Sequence, residues 1–315
     1  MQKNKRYADM GMRDELERLW RSGGTLVRLV MVNVGLFALL LLADLVILLT
    51  SDSRAEADAT FHLGVLKWLA ATWVGRDMLM RPWTAITYMF THRDLLHVLF
   101  NMIMLWFAGR IYQDLLGGRR LLGTYLLGGL SGLLLYALSY NFLPFFRHYA
   151  SGPTIIGASA SVMAVLVGIA AYRPQLVVHL ILIGPVRLIW VAVVLLLLDL
   201  VSIRTGSNSG GHIAHLGGAL YGYLAARAMA RGQDWSLAVG EAVEKLLAWR
   251  PLAKRARMKV AARGRGFRSQ DEAFQADKRA RQERIDAILD KISRSGYDSL
   301  SKDEKDILFR ASKDN

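Results

Sequence analysis

The sequence predicts an all-α, polytopic membrane protein with six transmembrane helices and a small C-terminal helical hairpin. Three observations predict it. Hydrophobic side chains make up 53% of the 315 residues and mean hydropathy is +0.25, yet the formal charge is +14, a combination that soluble domains rarely carry. The two properties are segregated: apolar runs fill about residues 25–230, while the first 22 residues and roughly the last 85 are charged. The apolar region breaks into six segments at or near the ~20 residues that cross a hydrocarbon core about 30 Å thick.

The first segment runs from about Leu26 to Thr50, the second from His92 to Ile111, and the third from Leu121 to Asn141. The fourth runs from Gly157 to Tyr172, the fifth from Leu188 to Ile203, and the sixth from His212 to Ala230. Roughly 22 polar residues precede the first run, so it reads as a retained anchor and not a cleaved leader. Lys3, Lys5, Arg6, Arg13, Arg18 and Arg21 precede the first span, and Arg110, Arg119 and Arg120 follow the second. Arg173 and Arg187 follow the fourth. With six crossings these groups and the basic tail share one side, so both termini are expected to be cytoplasmic. Residues 51–90 are then outside; Trp68, Trp73 and Trp83 with Leu66, Leu69, Met78 and Met80 suit the membrane interface.

Four regions follow: residues 1–22, a cytoplasmic N-terminal segment; 23–230, the six-helix domain; 231–275, a basic juxtamembrane linker; and 276–315, a C-terminal cytoplasmic hairpin. Within the linker, residues 250–268 read RPLAKRARMKVAARGRGFR, with no acid. Such a stretch attracts anionic lipid at roughly 1 kcal/mol per charge, or serves as a solvated linker. In the tail, Ile285, Ile288, Leu289 and Ile292 recur at helical spacing, and Ser301 with Glu304 forms a capping box for a second helix.

The absence of cysteine excludes disulfides, thiolate zinc sites and a cysteine nucleophile. The Lys and Arg excess flanks apolar spans, where it sets topology, so no nucleic acid partner is expected.

Polar groups at bilayer depth are expensive and mark candidate sites. The second span opens HRDLLHVLFN, carrying His92, His97 and Asn101, the last two on one helix face. The fourth carries Ser159 and Ser161, and the sixth carries His212 and His215. Taken singly, each could bond a neighbouring carbonyl and help helices pack. Together, under the same topology, they share one depth near the outer ends of their spans. Ala160, Ala164 and Gly168 on the fourth span match Ala214, Gly218 and Gly222 on the sixth. Small residues at every fourth position let two backbones approach closely, and His215 lies on the face that meets the fourth span. An imidazole held against a hydroxyl activates it as a nucleophile. Gly157 permits an unusual chain path into the fourth span, whose first N–H groups, with His97 and Asn101, are donors for an oxyanion. Asp199 on the fifth span is the nearby acid and is given no role. HExxH and GxGD are both absent, and His212 is read as a loop-end residue near the site, so no metal is expected.

The stretches RPWTAITYMFTH, HRDLLHVLFN, GASA and AHLGGALYG, in this order, resemble the rhomboid intramembrane serine proteases over about residues 25–230. The resemblance implies a six-helix rhomboid fold, with Ser159 as nucleophile and His215 as general base of a dyad. It implies that His97, Asn101 and the backbone N–H of Ser159 stabilise the oxyanion, and that His92, Trp83, Gly157, Gly218 and Gly222 are structural near the site. Trp83 matches the tryptophan of a Trp-Arg pair, with Thr84 where the family has arginine, and Ala160 replaces the glycine usual after the nucleophile. No cofactor is implied. Transmembrane proteins are the implied substrates. The tail from about residue 280 is similar to one found on some bacterial rhomboids, which suggests a bacterial plasma membrane. The alternative is a catalytically silent rhomboid-like protein that binds transmembrane clients; a channel lined by His97, His212 and His215 is a third reading.

Overall fold

The computed structural model describes residues 12–146, 154–181, 183–205, 208–248, 283–296 and 299–313. The chain divides into two units, residues 1–249 and 250–315.

In the first unit, α1 (Met12–Ser22) leads into α2 (Gly24–Thr50). Three short helices follow, α3 (Arg54–Gly64), α4 (Gly75–Met80) and α5 (Thr84–Thr87), with one 3-10 turn between α3 and α4 and another after α5. Helix α6 (Leu95–Leu116) is capped by Asp94, whose carboxylate accepts the His97 N–H at 2.8 Å. Gly117, with φ +90°, turns the chain directly into α7 (Gly118–Phe142). Then come α8 (Ser159–Tyr172), an antiparallel hairpin of β1 (Val177–Leu180) and β2 (Gly184–Arg187), α9 (Leu188–Thr205), α10 (Ser209–Met229) and α11 (Trp235–Ala248).

Each of the six predicted spans falls on a helix, namely α2, α6, α7, α8, α9 and α10. Of these, α2, α6 and α7 are by length and composition fit to cross a membrane, and α8 is a shorter apolar helix. A band of exposed leucine, valine and aromatic side chains runs over α2, α6 and α9, including Leu39, Leu42, Val46, Phe100, Ile103, Trp190 and Val201. An apolar surface of this extent is that of a membrane protein.

Five details differ from the sequence reading. His92 precedes α6 instead of opening it, and α8 begins at Ser159 instead of Gly157. Helix α10 begins at Ser209, so His212 lies inside a helix and not at a loop end. Residues 173–187 are not a plain loop: the β-branched Val177, Val178 and Val186 pair in the hairpin. Residues 235–248, within the expected linker, form α11, which docks on α7. Arg119 bonds Glu244 at 2.8 Å, Arg120 bonds Asp234, and Thr124 donates to Ser236 at 2.8 Å. Two of the arginines expected to act as topological charges, Arg119 and Arg120, are therefore partnered. The basic stretch 250–268 lies outside the described residues.

Helix α8 is the axis of the unit, with every residue from Ala160 to Ala170 buried, as a helix apolar on all sides must be. Its neighbours approach through missing side chains. A Cβ on Gly218 would stand 2.0 Å from the Ala160 carbonyl oxygen, and one on Gly222 would stand 2.3 Å from that of Ala164. On the α7 side, Gly128 and Gly132 leave room for the Ala164 and Ala160 methyl groups. A buried polar tie completes the packing: Asn33 of α2 donates to the Tyr125 hydroxyl at 3.1 Å, which donates to the Met89 carbonyl at 2.8 Å.

In the second unit, residues 283–295 form α12 and Lys302–Lys313 form α13. The Lys291 ammonium bonds both Glu304 oxygens at 2.9 Å and holds that carboxyl below its ordinary range. The expected capping box is present, with Ser301 and Glu304 bonding each other's N–H groups.

The close approach makes a testable demand. Gly222→Ala should lower stability by about 1–3 kcal/mol through overpacking against backbone. Gly35→Ala, on α2 with open space around it, should change it by less than ~0.5 kcal/mol. Thermal unfolding in detergent compares the two.

Candidate active site

Four helices meet around a cavity of about 340 Å³ lined by His97 and Asn101 of α6, Ser159 of α8, Asp199 of α9, and His212 and His215 of α10. The serine, both histidines of the expected catalytic and oxyanion sets, and the asparagine thus share one space. Its remaining wall is largely apolar, with Phe100, Met104, Val162, Leu166, Leu195 and Leu198, and Ser202 and Asn208 add polar groups to it.

The chain enters this space along a path fixed bond by bond. Ile155 pairs with Ala71 through two backbone bonds of 2.9 and 3.1 Å. The Gly157 N–H donates to the Tyr88 carbonyl at 2.8 Å, and the next N–H, of Ala158, donates to His92 Nε2 at 3.3 Å. His92 is fully buried; as an acceptor at Nε2 it is neutral, with its proton on Nδ1. Gly157 has φ +120°, and a Cβ there would sit 2.6 Å from the His97 ring. Only glycine meets both conditions. Helix α8 starts next, and its first intrahelical bond runs from Val162 N–H to Ala158 carbonyl at 2.9 Å. The N–H groups of Ser159, Ala160 and Ser161 therefore have no intrahelical acceptor.

Opposite Ser159, His97 stands edge-on to His92, with ring centroids 5.1 Å apart. The Asn101 amide donates one hydrogen to the His97 carbonyl at 2.8 Å, which leaves its second N–H for another acceptor. On α10, His215 Nδ1 lies 2.8 Å from Asp199 Oδ1, and His212 Nδ1 lies 2.7 Å from the same oxygen. Asp199, to which the sequence reading gives no role, is thus joined to the expected base. The signal was an acid in the run LLLLDLV, but its partner lies on another helix, 16 residues on.

Asp199, His212 and His215 bring one donor atom each to within 4.8 Å of one another, a set that could by composition hold a metal ion. The separations argue for hydrogen bonds. Donors about 2.1 Å from a tetrahedral ion stand roughly 3.4 Å apart, whereas here each nitrogen lies within 2.8 Å of the oxygen.

The segment α3–α5 is tied down by its own polar contacts. Trp83 stacks on Trp68 with centroids 6.2 Å apart, and its Nε1 donates to the Trp68 carbonyl at 3.0 Å. Three residues before Thr84, the buried Arg81 guanidinium bonds the Lys67 carbonyl and the Asp77 carboxylate, and Thr84 donates to the Arg81 carbonyl at 2.7 Å. Gly218 and Gly222 lie deeper, at the α8–α10 contact.

His92→Leu removes the acceptor of a buried N–H. It should cost about 1–3 kcal/mol of stability, measured as a lower unfolding temperature in detergent.

Comparison with known proteins places part of the chain in a known domain family. The rhomboid domain model matches residues 80–232, and a family of unknown function (DUF6576) matches residues 268–314. The Arabidopsis thaliana "RHOMBOID-like protein 12, mitochondrial" is 28% identical over 158 residues, 48% of this chain and 47% of that protein. The Danio rerio "Presenilin-associated rhomboid-like protein A, mitochondrial" is 31% identical over 135 residues, 42% of this chain and 34% of that protein. The chain spans about half the length of the first and a third of the second. Residues 80–232 of this chain form a rhomboid domain.

Proposed function

We propose that the chain is an intramembrane serine endopeptidase that cleaves transmembrane or membrane-associated proteins by a Ser159–His215 dyad. The observation that carries this reading is the shared cavity, in which Ser159 heads a helix whose first N–H groups have no intrahelical acceptor and which is also lined by a histidine whose Nδ1 is already engaged. Engagement at Nδ1 leaves Nε2 as the basic nitrogen. As Ser159 Oγ attacks the peptide carbonyl carbon, its proton passes to His215 Nε2. The oxyanion accepts from the Ser159 N–H, the second Asn101 N–H and the His97 ring. Collapse breaks the C–N bond, and His215 returns the proton to the departing amine. Water then attacks the acyl-enzyme with the same histidine as base, releasing the acid and restoring the serine.

Depth supplies the water. Helix α8 has 14 residues, or about 21 Å at ~1.5 Å per residue, against a hydrocarbon core of about 30 Å. Ser159 would lie roughly 10 Å below the outer surface under an open, water-filled space. We read all six of α2, α6, α7, α8, α9 and α10 as crossing the bilayer, with both termini cytoplasmic, the orientation favoured by the basic N-terminal segment and tail. A bacterial plasma membrane is the proposed location, from the likeness of the tail; both named relatives are called mitochondrial. Residues 250–268 would meet anionic lipid and the hairpin at 276–315 would engage a regulatory partner.

The competing reading, a silent client-binding protein, has in its favour that the relatives are named only rhomboid-like. Labelling of the folded protein with a fluorophosphonate separates the two. Wild type should label, Ser159→Ala should not, and His215→Ala should label at least about 100-fold more slowly. Unlabelled wild type, or equal labelling of Ser159→Ala, refutes the protease.

A further inference from the structure

We propose that Asp199 is a positioning residue for the base, so that the dyad works as a Ser159–His215–Asp199 relay with its acid supplied by α9. This rests on the protease reading and goes beyond it, since no feature of a dyad calls for an acid.

Three observations carry it. Asp199 Oδ1 lies 2.8 Å from His215 Nδ1, the nitrogen on the far side of the ring from the one that must take the serine proton. A carboxylate there fixes the ring tautomer and orientation and balances the imidazolium that forms during attack. Second, Asp199 is 6% exposed, and among the described residues lining the cavity it is the only acid; His97 and His212 are the other titratable groups there. Third, the same oxygen holds His212 Nδ1 at 2.7 Å, which braces the carboxylate from one turn earlier on α10 and limits its rotation.

The plain alternative is a structural tie between α9 and α10. A carboxylate in an apolar span is a costly tie, and Oδ2 has no partner among the described residues. A tie alone would be served as well by a neutral side chain.

The probe is again a fluorophosphonate, now read kinetically on full-length protein in detergent. The Oγ–P bond forms as fluoride leaves, and the serine proton passes to His215. For Asp199→Asn the maximal inactivation rate should fall at least about 10-fold, with the 10⁴-fold loss of a soluble triad as the upper bound. The half-saturating probe concentration and the unfolding temperature should stay near wild type, and Asp199→Glu should recover part of the rate. If Asp199→Asn does not fold, Asp199→Leu takes its place, with the same fall in maximal inactivation rate expected. A wild-type inactivation rate in the neutral variant, with Ser159→Ala still unlabelled, overturns the role of Asp199 and leaves the protease standing. A slower rate matched by an equal loss of stability, without recovery in Asp199→Glu, makes Asp199 a tie and also overturns it. If wild type takes no probe, both readings fall.

Discussion

The contact on which the rest of the molecule depends is the backbone-to-backbone approach of α8 and α10. Lipid tails are as apolar as leucine, so burial does not drive two helices together inside a bilayer; shape does. Gly218 and Gly222 let the α10 backbone approach so near the Ala160 and Ala164 carbonyls that a methyl group would overlap them. That register sets His215, three residues before Gly218, level with Ser159, one before Ala160. Helix α7 closes the other side through Gly128 and Gly132, so α8 is gripped between two helices.

A second constraint concerns polar backbone. Residues 155–158 are not helical, and non-helical chain at membrane depth is tolerated only where its N–H and C=O groups find partners in protein or water. Ala71, Tyr88 and His92 supply them. The long segment between α2 and α6 is therefore part of the site: it delivers the acceptors that hold the chain as it turns into Ser159. Arg81, Trp83 and Thr84 in turn hold that segment to itself.

Much of this was legible in the sequence because it is written in side chains that a membrane penalises. Ser159, His97, Asn101 and His215 stood out as polar groups at one depth, and the small residues of the fourth and sixth spans named the pair that touch. The glycines of the third span were equally plain in GGLSG, yet their partners are not, because a small residue announces close contact without saying with what. Asp199 was visible but unassigned, since its bond to His215 depends on how α9 leans on α10. The docking of α11 was missed because it rests on a close backbone approach at Gly123 and Gly240 and on ion pairs and hydroxyls at Arg119, Arg120, Thr124 and Ser236, none of which names its partner in the sequence.

The central claim is that this packing serves peptide-bond cleavage within the membrane. Its most direct test is proteolysis in liposomes containing the purified protein and a single-span model substrate, with fragments weighed by mass spectrometry. The account predicts two fragments from one scissile bond near the outer end of the substrate helix, formed by wild type and not by Ser159→Ala. Intact substrate with folded wild-type protein, or the same fragments from the serine variant, would contradict it.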